Sequence, residues 1–100
     1  MTAQERTYST SKLLALSALY DMVDSSGKLT LLYSNSYHAN LIVKTEQEAC
    51  NCSIELWESP GGTCVRIEIA DARQSVPAHQ EILDDMFQNF EDVLRKYNCV

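Results

Sequence analysis

Apolar positions along this chain change their period twice. Between residues 9 and 23, Leu13, Leu16, Leu19, Tyr20 and Val23 recur at three- and four-residue steps, which predicts an amphipathic helix. Ser9 or Ser11 can cap it by accepting a hydrogen bond from a first-turn N–H. Gly27, closing "DSSG", suits the left-handed position that ends a helix. The period then falls to two. In "KLTLLYS" Leu29, Leu31 and Tyr33 share a face; in "YHANLIVKT" Ala39, Leu41 and Val43 do. In "ACNCSIELW" Cys50, Cys52, Ile54 and Leu56 share a face, and in "TCVRIEIA" Val65, Ile67 and Ile69 do. Alternation with polar partners predicts strands of an antiparallel sheet covered on one face. The links "SNS", "EQE" and "SPGG" are hairpin length.

From residue 77 to 97 the helical period returns. Ile82, Leu83, Met86, Phe87, Phe90, Val93, Leu94 and Tyr97 form one stripe. Ser75 can cap this helix, and Pro77 suits its first turn. Glu81, Asp84, Asp85, Glu91 and Asp92 precede Arg95 and Lys96 on the other side, in the order that complements the helix dipole. The expected fold is α+β, in the order α-β-β-β-β-α. A four-stranded antiparallel meander carries both helices on one face. Residues 1–100 read as one domain, with 1–8 a flexible lead-in. Gly61, Thr63, Val65 and Ile67 form a "G-x-T-x-V-x-I" closure. With the element order, this resembles small bacterial helix–four-strand–helix domains of unknown function. The resemblance spans about residues 10–97 and implies a fold, with no active site to carry over.

Pairing inward residues with inward residues sets Leu56 opposite Val65, Ile54 opposite Ile67 and Cys52 opposite Ile69. On the outer face, Glu55 then meets Arg66, and Trp57 meets Cys64. For the preceding pair, one register sets Val43 opposite Cys50, Leu41 opposite Cys52 and Ala39 opposite Ile54. That brings His38 to Glu55, with Leu32 beside it. His38, Glu55 and Arg66 are thus the candidate catalytic residues, since a carboxylate between an imidazole and a guanidinium can orient a general base. The plainer reading is a solvated cross-strand charge row. Leu32, Ile42, Trp57 and Cys64 are the candidate interface residues, because a large aromatic outside the core anchors interfaces.

The clustered cysteines suggest a metal site until the strand period is applied. Cys50 and Cys52 fall on the core side, with alpha carbons roughly 6.5–7 Å apart, at or beyond the disulfide limit. Cys64 points the other way, so three thiolates cannot converge. No metal or cofactor is expected; the inward cysteines read as small apolar filler, and Cys99 as incidental. His79 reads as a surface residue, and the acids of the last helix as its wet face.

A formal charge of −6 argues against nucleic acid and anionic membranes. No apolar run reaches the roughly 20 residues of a membrane span. With no export signal, a cytoplasmic setting and reduced thiols are expected. Nucleophile motifs and phosphate-cradling glycine loops are missing. The function expected is a binding module, a homodimer or the partner of another protein, using the open sheet face or an edge strand. The alternative is a small-molecule-binding or catalytic domain at His38, Glu55 and Arg66.

Overall fold

A computed structural model describes residues 2–46, 50–69 and 76–97. The chain runs β1 (Thr2–Tyr8), α1 (Lys12–Ser26), β2 (Leu29–Asn35), β3 (Asn40–Thr45), β4 (Asn51–Ser59), β5 (Gly62–Ile69) and α2 (Val76–Lys96). The sheet is antiparallel, in the order β1-β5-β4-β3-β2. The α+β class and antiparallel sheet agree with the sequence reading. The strand count does not, because the expected flexible lead-in contains a fifth strand, β1. The helix–four-strand–helix order implied by the resemblance therefore lacks the element that pairs with β5.

β1 left no apolar alternation to read. Its inward residues are Thr2, Gln4, Arg6 and Tyr8, paired with Ile69, Ile67, Val65 and Thr63. These side chains meet α2 through polar contacts, so the strand binds the sheet without an oily face.

α1 sits between the Ser11 cap, whose hydroxyl accepts from the Leu14 N–H at 3.2 Å, and Gly27 at φ 68°. Its buried side is Ala15, Ala18, Leu19, Met22 and Val23. The expected stripe was rotated: Leu13 is 77% exposed, while two alanines face the core. α2 buries its expected stripe of Ile82, Leu83, Met86, Phe87, Phe90, Val93 and Leu94. Ser75, its expected cap, lies outside the described residues.

The core is one cluster between the helices and the inner faces of β3, β4 and β5. Cys50 and Cys52 belong to it beside Leu41, Val43, Ile54 and Leu56. The β4–β5 register is the expected one, with Leu56 opposite Val65 and Ile54 opposite Ile67. The β3–β4 register differs by two residues: Val43 pairs with Cys52 and Leu41 with Ile54. The cause is a longer connection. Thr45 N–H donates to the Cys50 carbonyl (2.9 Å), and Cys50 N–H donates to Thr45 Oγ1 (3.1 Å). Thr45 and Cys50 therefore close this hairpin, and the inward residues of β3 and β4 keep their face.

Candidate functional site

The open face presents rows of side chains set by the register. One runs Glu5, Arg66, Glu55 and Asn40. Glu55 and Arg66 are neighbours as expected, but the Arg66 guanidinium reaches Glu68 at 2.6 Å and Glu5 at 3.4 Å. Its pKa is raised, first by the hydrogen bond to Glu68. Glu5 comes from β1, which the sequence reading left out of the sheet. His38 does not join the row. The two-residue shift puts Asn40 opposite Glu55. His38 lies in the exposed β2–β3 turn, its backbone N–H donating to Asn35 Oδ1 at 3.2 Å and its ring edge-on to Tyr37. The imidazole–carboxylate–guanidinium row expected from the sequence is not assembled.

The candidate interface residues separate. Ile42 faces outward and is partly buried, opposite Ser53 and Tyr33. Trp57 is 37% exposed and stands opposite Cys64. Cys64, expected to be exposed, is buried. β5 is an interior strand, and Thr7 of β1 flanks Cys64 on its second side. Its thiol lies 4.0 Å from Glu5 Oε1. Leu32 is the residue skipped where the β2–β3 register shifts between Leu31 and Tyr33. That bulge moves Tyr33 from the expected inner face to one shared with outward Ile42.

As a result β2 carries three consecutive large residues with wide exposure: Leu31 at 41%, Leu32 at 51% and Tyr33 at 48%. Tyr37 follows, exposed in the turn. Among the described residues β2 pairs only with β3, and its other edge ends the sheet. Between Leu29 and Asn35 it contains no charged residue. A groove lined by Tyr20, Asp21, Asp24, Leu29 and Leu31 runs beside it along α1.

The opposite edge is built differently. On the inner side of β1, Arg6 Nη1 donates to Glu91 Oε2 at 2.7 Å, and Tyr8 Oη donates to the same oxygen at 2.8 Å. Arg6 also lies 3.8 Å from Asp84 and 4.7 Å above the Phe87 ring. Tyr8 meets Phe90 edge-on. Burial, then the bond to Glu91, pushes the Tyr8 phenol well above its ordinary pKa. Burial disfavours the Glu91 carboxylate, but the bonds from Tyr8 and Arg6 outweigh it and hold its pKa below the usual value. Glu91 is thus a tether for β1, not part of a purely wet face. His79, expected at the surface, is buried; Nδ1 lies 3.1 Å from Thr2 Oγ1, and Nε2 has no partner among the described residues.

Among the described residues no three of His, Cys, Asp and Glu converge where they could hold a metal ion. No helix among them is long and apolar enough to cross a membrane. Cys99 lies outside the described residues. No protein-family model matches the chain, and no curated protein matches it significantly.

Proposed function

We propose that the protein is a self-associating interaction module, a homodimer joined on the β2 side of its sheet. The observation that carries this reading is an uncharged edge strand, with no second neighbouring strand among the described residues, that exposes the consecutive Leu31, Leu32 and Tyr33. Such an edge is a template for another chain; Leu31, beside inward Val43, and Tyr33, beside outward Ile42, flank it on its two faces. The same net charge of −6 that disfavours nucleic acid repels two copies elsewhere on their surfaces. An uncharged strand is where they can meet. A cytoplasmic setting, where thiols stay reduced, goes with this reading. The alternative, a small-molecule or catalytic site at His38, Glu55 and Arg66, has less support, with His38 in a turn and Arg66 engaged by Glu5 and Glu68.

Light scattering and native mass measurement test the reading. A dimer is expected over the micromolar range. A strict monomer at about 100 μM removes it, since specific interfaces of ordinary size bind more tightly than that.

A further inference from the structure

We infer that the two copies join edge to edge, with β2 antiparallel to the partner's β2, so that two five-stranded sheets become one of ten strands. This rests on the self-association reading and goes beyond it by choosing between the two ways the sheet could be shared.

The other way is face to face, and the charges oppose it. The open face of each copy carries Glu5, Glu55 and Glu68 against Arg66 and Lys44. A two-fold axis through that face would bury all five charges per copy and set a surplus of carboxylates against its own image. Removing charged groups from water costs several kcal/mol per ion unless each finds good partners. Arg66 already divides its guanidinium between Glu5 and Glu68. A second copy brings more carboxylates than cations.

Edge pairing buries no charge of the strand itself; the nearest charges flank it, Asp21 and Asp24 in the groove along α1 and Glu46, which accepts from Thr30 Oγ1. Leu29, Thr30, Leu31, Leu32, Tyr33, Ser34 and Asn35 are all neutral. Among the described residues, no strand neighbours the backbone N–H and C=O groups on the outer side of β2. An antiparallel twin satisfies them reciprocally, because a strand laid against itself about a two-fold axis is self-complementary. The bulge at Leu32 shortens the regular ladder. Leu31, Leu32 and Tyr33 must then supply much of the contact, which accounts for three large side chains standing exposed there. β1 cannot serve in the same way: it carries Glu5 and Arg6, and its inner side is fastened to α2. Edge pairing also leaves Trp57 and the charged rows uncovered in both copies.

Disulfide trapping of the full chain with one introduced cysteine, the buried Cys50, Cys52 and Cys64 kept in place, decides between the arrangements. Thr30→Cys, Leu31→Cys, Leu32→Cys and Tyr33→Cys are made one at a time in a Cys99→Ser background, mildly oxidised and run without reductant. Residues at the two-fold axis of an antiparallel pair face their own images within disulfide reach. A covalent dimer is therefore expected at one or two neighbouring β2 positions and not for Glu55→Cys, at the centre of the open face. Cross-linking of Glu55→Cys alone, or of no position in a protein that scatters as a dimer, overturns edge pairing while self-association stands. A monomer at every concentration overturns both and hands the edge to a foreign strand. As a second measurement, Leu32→Lys/Tyr33→Lys places like charges across the seam. Dimerisation should weaken about tenfold or more, with the far-ultraviolet circular dichroism unchanged. Unaltered affinity in that folded variant also rejects the edge.

Discussion

The two edges of this sheet are finished by different means. β1 is polar along its length, yet it is fixed: Thr2, Gln4, Arg6 and Tyr8 meet His79, Gln80, Glu91 and Phe90 of α2. β2 is mostly apolar and neutral, yet Leu31, Leu32 and Tyr33 stay substantially exposed. Hydrophobicity alone would have placed β2 inside and β1 outside. The difference arises from what lies above each strand. β1 lies beneath a helix whose Glu91 accepts two charge-assisted or hydroxyl bonds on one oxygen. At β2 the same sheet side ends beside a groove along α1. One edge is closed from within the chain, and the other has no strand beside it among the described residues.

The largest effect expected from this contrast comes from a residue with no side chain. Gly62 has φ +133°, and a Cβ there would lie 2.0 Å from the Tyr8 carbonyl oxygen and 3.1 Å from Ser9 Cα. Both obstacles are backbone, so neither can rotate away. Gly62→Ala combines a disfavoured conformation with a clash at the end of β1, and should cost about 2–4 kcal/mol. Hydrogen exchange should show protection lost first in β1 and retained in β3 and β4. A loss under about 0.5 kcal/mol, or uniform deprotection, would show that β1 is not held at this point.

The next effect is smaller and depends on pH. Glu91→Gln keeps the shape of the tether but removes its charge. Arg6 and Glu91 are partly exposed, so solvent screening reduces the loss; about 1–2 kcal/mol at neutral pH is expected. The sign with pH follows from the depressed pKa of Glu91. A carboxylate that ionises more readily when folded contributes stability above its ordinary value of 4.5, and loses it as pH falls through the folded value. The gap between wild type and Glu91→Gln should therefore close in acid. Denaturation curves at pH 7 and pH 3 measure it; a gap of equal size at both would mean that Glu91 acts by packing alone. Tyr8 gives the alkaline counterpart. Its raised pKa favours the neutral phenol in the fold, so its contribution is complete below 10.0 and declines as pH rises beyond it.

The same contrast separates what was legible in the sequence from what was not. β4 and β5 alternate without a break across a short turn, so faces and register could both be read. β3 kept its faces but slipped by two, because a shift of two residues leaves the alternation unchanged. α1 was rotated because Ala15 and Ala18 carry little hydrophobic signal, although small side chains let a helix approach closely. β1 was missed because its inward residues are hydrogen-bonding groups whose partners lie more than 70 positions away. Missing β1 had consequences for the candidate site. It hid Glu5 as a partner of Arg66 and left Cys64 on the wrong side of the burial boundary. The bulge that turns Tyr33 outward gives no signal in the alternation itself, since "LTLLYS" reads equally well as an unbroken strand.

The smallest expected effect is a near absence of one, and it sharpens the contrast most. A Lys at Leu32, 51% exposed and at a bulge, removes little buried area within the single chain. Substitutions at such positions usually fall within about 0.5 kcal/mol. Measured at protein concentrations low enough to keep the chain monomeric, Leu32→Lys should match wild-type stability. At concentrations where the proposed dimer would form, the variant should fall behind, because binding to the folded state adds stability by mass action. The stability difference should thus grow with concentration for Leu32→Lys, while that for Glu91→Gln should not. A concentration-independent loss of more than about 1 kcal/mol for Leu32→Lys would mean that β2 is packed from within, as β1 is, and the two edges would no longer be different in kind.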